Sequence, residues 1–102
     1  MRSLLLFLLS VCASNAAEIT GPRAAELKNL VQQDCGSCHG LTRKGGLGPD
    51  IRAQTLAGRD PEGLAEIIKY GLPPTAMPPW GPLLSDEEIR WIAEYLLEET
   101  TE

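Results

Sequence analysis

Two cysteines set two residues apart and followed at once by the only histidine, Cys35-Gly36-Ser37-Cys38-His39, constrain this 102-residue chain more than any other feature. On a helix the two sulfurs come round to one side, with the histidine carried just beyond them. A disulfide across so short a gap closes a negligible loop and stabilises little. A four-ligand zinc site would need a second cysteine pair or a second histidine, and the sequence has neither. A thioredoxin-like dithiol would account for the cysteines but not for His39 or its helical surroundings. The pattern is that of covalent haem attachment: each thiol adds to a vinyl group of the macrocycle, and the neutral imidazole of His39 ligates the iron.

The chain is short enough to need such a staple. Met1-Arg2-Ser3 precedes an apolar run from Leu4 to Cys12 broken only by Ser10, and small residues follow at Ala13, Ser14, Ala16 and Ala17. This reads as a signal peptide over residues 1–16, cleaved after Ala16, with residues 17–102 forming one exported domain. The run is too short to span a bilayer, and Val11 is too large to precede a lipidated Cys12. The expectation is a periplasmic protein without stable membrane insertion. Removing 16 of 102 residues leaves 86, a size that buries only about 60 to 65% of its unfolded surface. A covalently held macrocycle would add its own apolar surface to so marginal a core.

Nine basic against fourteen acidic residues give a net charge of −5, or −6 once Arg2 is removed, which argues against nucleic acid as a partner. The charges are unevenly placed. Arg43, Lys44, Arg52 and Arg59 face only Asp50 between residues 41 and 59, whereas seven acids from Asp86 onward face Arg90 alone. Arg43 and Lys44 directly follow the attachment motif, and read either as an edge that steers a redox partner or as solvated loop charges. Arg52 and Arg59 have two readings as well, pairing with a haem propionate or solvation.

Periodicity predicts an all-α fold with three main helices. The first runs from about Pro22 to Cys38, with Leu27, Leu30, Val31 and Cys38 at helical spacing. Four glycines between Gly40 and Gly48 mark a loop that leads into Pro49-Asp50-Ile51. The second helix opens on Asp60-Pro61-Glu62 and stops at Gly71, and the last opens on the capping box Ser85-Asp86-Glu87-Glu88 and runs to about Glu99. Between Gly71 and Pro82, five prolines surround Met77, which is the only methionine after the signal.

Those two loops supply the remaining candidate ligands. With one histidine in the chain, the sixth ligand cannot be a second imidazole, and prolines on both sides of Met77 hold its thioether at fixed reach. Methionine opposite histidine raises the reduction potential and leaves no vacancy for substrate, so an electron carrier is expected rather than an enzyme. A haem enzyme or gas sensor would require Met77 to leave the iron. The Pro49 carbonyl is the candidate acceptor for the other imidazole nitrogen, unless Pro49 simply ends the loop. Trp80 either hydrogen-bonds a propionate or packs against the ring.

The run Cys35 to His39, then Gly48-Pro49, then Met77-Pro78-Pro79 before a capped C-terminal helix resembles the class I cytochrome c family over nearly the whole chain after the signal. That resemblance implies that the first and last helices cross, bringing Leu27 to Val31 against Ile92, Tyr95 and Leu96. The flanks Asp34 to Leu41, Gly45 to Pro49, and Met77 to Trp80 with Leu83-Leu84-Ser85 are similar to the NirC (cytochrome c55X) family. These are small cytochromes encoded beside the dissimilatory haem cd-type nitrite reductase of denitrifying bacteria. The likeness implies one haem c and electron delivery to nitrite reductase, or a part in maturing that enzyme's d-type haem. Oligomeric state stays open between a monomer and a dimer formed by helix exchange.

Overall fold

The computed structural model describes residues 19–98; the expected signal peptide of residues 1–16 lies outside them. The described residues form helices and loops without strands. Helix α1, Gly21–Leu30, starts with Pro22 in its first turn, where a missing amide costs nothing, and carries Leu27 on its buried face. It continues through a single wide turn, Val31–Cys35, and then helix α2, Gly36–His39. The single α-helix expected over 22–38 is therefore corrected. At Val31 the ladder changes step, so that the Gly36 amide reaches back five residues to the Val31 carbonyl. Such a π turn lodges one extra residue in the helix and is found mostly at functional sites.

A short helix not foreseen from the sequence, α3 at Ala53–Leu56, follows the glycine-rich loop and buries Leu56. Helix α4, Pro61–Tyr70, is capped by the Asp60 carboxylate, which accepts from the Glu62 amide at 3.3 Å. Helix α5, Asp86–Glu98, starts with the expected reciprocal box: the Ser85 amide donates to Glu88 Oε1 at 3.0 Å and the Glu88 amide to Ser85 Oγ at 3.1 Å.

The core lies where α1 and its continuation meet α5. Leu27, Val31, Ile89, Ile92, Ala93 and Leu96 are buried together, with Leu56, Leu64 and Leu84 completing the cluster and Tyr95 packed on its margin. Each fully buried aliphatic side chain here contributes about 1.5–3 kcal/mol. Arg23 of α1 pairs with Glu88 of α5, so the crossing is tied at its rim as well as filled at its centre. Helix α4 packs along α5, where Lys69 pairs with Asp86 at 2.9 Å and Arg90 with Glu62 at 3.2 Å. This frame is flanked by two long loops, 40–52 and 71–85, which reach the core through Ile51, Trp80 and Leu84.

Candidate functional site

The glycine-rich loop folds back onto the end of α2. The carbonyls of Cys38 and His39, which a terminating helix leaves without partners, accept from the amides of Gly48 at 2.7 Å and Gly45 at 2.8 Å. This return brings Pro49 under the imidazole, and His39 Nδ1 lies 2.8 Å from the Pro49 carbonyl oxygen. Since a carbonyl only accepts, Nδ1 carries the proton, and Nε2 keeps a lone pair for a metal. Gly48 sits so close to the ring that a Cβ there would lie 2.7 Å from both His39 Cε1 and Nδ1. At this position glycine is required by space.

Cys35 and Cys38 are both half-buried free thiols. Burial, reinforced by the Asp34 carboxylate, pushes the Cys35 thiol up to about 11, while the charge of Arg43 pulls the other way. Ser37 Oγ donates to the Asp34 carbonyl at 2.7 Å and lies 3.9 Å from Cys38 Sγ. Among the described residues, no group of three or more His, Cys, Asp or Glu side chains converges as a metal site.

Met77 and Trp80 lie on the second loop, anchored to the end of α4. The Leu72 amide donates to the Met77 carbonyl at 3.2 Å, the Trp80 amide to Ile68 O at 2.9 Å and the Gly81 amide to Lys69 O at 3.0 Å. The loop turns at Gly71, whose φ is +69° and whose Cβ would collide with the Met77 carbonyl at 2.5 Å, so backbone conformation and space both demand glycine. Met77 is partly exposed, and Trp80 is half buried against the core.

Two charge assignments change. Arg43 is only 8% exposed and is no solvated loop charge. Arg52 is engaged by Asp50, with Nη2 to Oδ2 at 2.6 Å and the Arg52 amide to Oδ1 at 2.9 Å, which holds the Asp50 carboxyl well below the usual carboxylate range. No sequence signal marks that pair, because residues two apart in a loop face each other only through turn geometry. The space requirement at Gly48 was foreshadowed only by the glycine content of its loop.

The family described as cytochrome c oxidase, cbb3-type, subunit III matches residues 22–96. Cytochrome c55X of Paracoccus denitrificans is 54% identical over 100 residues, covering 95% of this chain and 97% of that protein. The chain belongs to the cytochrome c55X family. The structure of the c-type cytochrome NirC is similar to this cytochrome with a TM-score of 0.74 and 44% identity, over 78% of this chain and 93% of that one. A dihydro-haem d1 dehydrogenase, NirN, in complex with DHE matches with a TM-score of 0.66 and 31% identity, over 74% of this chain but only 16% of that protein. The protein is thus a periplasmic c-type cytochrome, an electron-transfer protein of the denitrification pathway. The paired thiols and the polarised imidazole fit the haem that such a family carries, and no helix among the described residues is long and apolar enough to cross a membrane.

Proposed function

We propose that this cytochrome carries one covalent haem c and passes single electrons to the dissimilatory nitrite reductase, working in the periplasm as a monomer once residues 1–16 are removed. The observation that carries the reading is the 2.8 Å approach of His39 Nδ1 to the Pro49 carbonyl, which fixes the tautomer and orientation of an iron-binding imidazole. Cys35 and Cys38 would hold the group through thioether bonds, and His39 and Met77 would ligate its iron. When bound, haem iron between imidazole and thioether supplies a one-electron couple of raised potential. Prolines 73, 74, 78 and 79 restrict the backbone on both sides of Met77, so little entropy is lost when its sulfur is held in place. Trp80, on the same loop as Met77 and half buried against the core, would hydrogen-bond a propionate or pack against the ring, and Pro49 keeps the imidazole from rotating.

The test is to produce the protein in a host that matures c-type cytochromes. The expected product has the mass of the processed chain plus one haem and a thioether-to-iron band in its ferric spectrum, and nitrite reductase oxidises the reduced protein within one turnover in stopped-flow mixing. A colourless product of bare chain mass overturns the haem reading. Transfer slower than turnover removes nitrite reductase as the acceptor.

The likeness to one part of a dihydro-haem d1 dehydrogenase supports a second reading, a role in maturing the d-type haem. A deletion strain separates the two. Normal d-type haem content with impaired nitrite reduction supports the carrier, and loss of that haem supports maturation.

A further inference from the structure

Residues 72–79 read Leu-Pro-Pro-Thr-Ala-Met-Pro-Pro, and Thr75 is the one residue of that segment whose side chain carries a hydroxyl, an amide or a charge. Proline fixes its own φ and has no amide to donate. The two proline pairs therefore restrict positions 73, 74, 78 and 79 but leave a span of three residues, Thr75, Ala76 and Met77, whose φ they do not set. That span is closed by hydrogen bonds that stay within the segment. The Leu72 amide donates to the Met77 carbonyl at 3.2 Å, and the Thr75 amide to the Leu72 carbonyl at 2.7 Å. The Met77 amide donates to Thr75 Oγ1 at 3.3 Å, and the Thr75 hydroxyl donates in turn to the Leu72 carbonyl. One hydroxyl thus uses its donor on the residue that enters the segment and a lone pair on Met77 itself. Branching at Cβ restricts χ1, so threonine holds that hydroxyl in place at little entropic cost. Thr75 is exposed, and water would satisfy its hydroxyl without these bonds. What the bonds determine is the conformation of 75–77.

We propose that Thr75 is a positioning residue for Met77: its hydroxyl holds the span that the prolines leave free, keeping the thioether on the iron and exogenous ligands off it. The inference rests on the reading of Met77 as an axial ligand. A small ligand that reaches the iron only after Met77 has left reports how often it leaves, because its apparent affinity is the intrinsic affinity scaled by the population of the released state. Removing the hydroxyl takes hydrogen bonds from the ligated conformation while every proline stays in place. The net worth of one such bond corresponds to about a two- to tenfold change in that population.

The experiment titrates the ferric, haem-loaded protein with free imidazole and follows the haem absorbance in the wild type, Thr75→Val, Thr75→Ser, Met77→Ala and the double variant Thr75→Val with Met77→Ala. Haem content by mass and the thioether-to-iron band of the wild type are checked first. Absence of either refutes the reading of the site and this inference together, whereas the results below bear on the inference alone. Valine keeps the branched shape without the hydroxyl, and Thr75→Val should raise the apparent imidazole affinity about two- to tenfold. Serine keeps the hydroxyl, and Thr75→Ser should stay close to the wild type. In the Met77→Ala background no thioether remains to be released, so adding Thr75→Val should change nothing, as a double-mutant cycle requires of residues that act through one another. An unchanged affinity in Thr75→Val overturns the proposal, as does a Thr75→Ser that behaves like Thr75→Val. An equal rise in the Met77→Ala background overturns it too, because the hydroxyl would then act on ligand entry and not on Met77. Loss of haem from Thr75→Val would reassign the residue to folding.

Discussion

Replacing Gly48 by alanine tests how tightly the loop is fitted to the histidine. The added methyl would lie 2.7 Å from His39 Cε1 and Nδ1 and 3.2 Å from Nε2, roughly an ångström inside van der Waals contact with the former two. Either the ring swings away or the loop lifts, and in both cases the 2.8 Å bond to Pro49 is lost. Overpacking costs about 1–3 kcal/mol and a lost hydrogen bond about 0.5–1.5 kcal/mol, so the variant should lose about 2–4 kcal/mol. In a domain of this size each kcal/mol moves Tm by about 4–8 °C, which sets the expected fall at about 10 °C or more. Thermal unfolding followed by circular dichroism measures it, with Gly63→Ala as the comparison. A Cβ at Gly63 would meet nothing closer than Asp60 Cβ at 3.9 Å, in a helix where alanine is preferred to glycine. If the two variants melt within about 3 °C of each other, far less than the expected difference, the loop is not fitted against the imidazole and the argument for a locked ring fails.

Ser85→Ala removes one half of the α5 capping box and should cost about 1 kcal/mol, read as a Tm lower by about 4–8 °C. Glu88 is held below its ordinary value of 4.5 by its hydrogen bond with Arg23 first and by the Ser85 amide next. Its contribution to stability is therefore full above pH 4.5 and is lost as pH falls through the folded value. Chemical denaturation across that range should show a smaller acid-side loss in Glu88→Gln than in the wild type. Lys69→Gln breaks an ion pair with Asp86 that is largely open to water, so the denaturant midpoint should stay close to that of the wild type. Met77→Ala should abolish the thioether-to-iron band of the ferric spectrum while leaving the covalent mass unchanged.

Features written in local chemistry were legible before the fold was known. Asp60-Pro61 and Ser85 with Glu88 mark helix starts because the groups that satisfy the first amides lie within three residues of them, while the meeting of α1 with α5 was implied by the resemblance to class I cytochromes c and not by spacing. The π turn at Val31–Cys35 was not legible. Gln32, Gln33 and Asp34 are compatible with either kind of turn, and the extra residue appears only when the Val31 carbonyl chooses the Gly36 amide. Helix α3 was hidden because four residues are too few to display a period. Arg43 was misplaced for a statistical reason, since basic residues in glycine-rich loops belong on the surface unless a fold turns them inward.

The two loops are held in shape by different means, and this explains why glycine and proline are divided between them. The first must lie against a helix end and an aromatic ring, so its backbone has to come closer than any Cβ permits: Gly48 caps the Cys38 carbonyl and touches His39 with the same residue. Helix termination and ring orientation are therefore one structural event, and the cap cannot loosen without releasing the Pro49 carbonyl from Nδ1. The second loop has no helix end to fold against along its middle; it is held by the anchors at Leu72, Trp80 and Gly81 and by Thr75, whose amide donates to the Leu72 carbonyl at 2.7 Å and whose hydroxyl accepts from the Met77 amide at 3.3 Å. Between those anchors, stiffness has to come from the chain itself, which is what prolines on either side of Met77 supply. Exchanging the two solutions would fail in both directions: proline in the first loop would delete the amides that cap α2, and glycine in the second would return to Met77 the backbone freedom that the prolines remove.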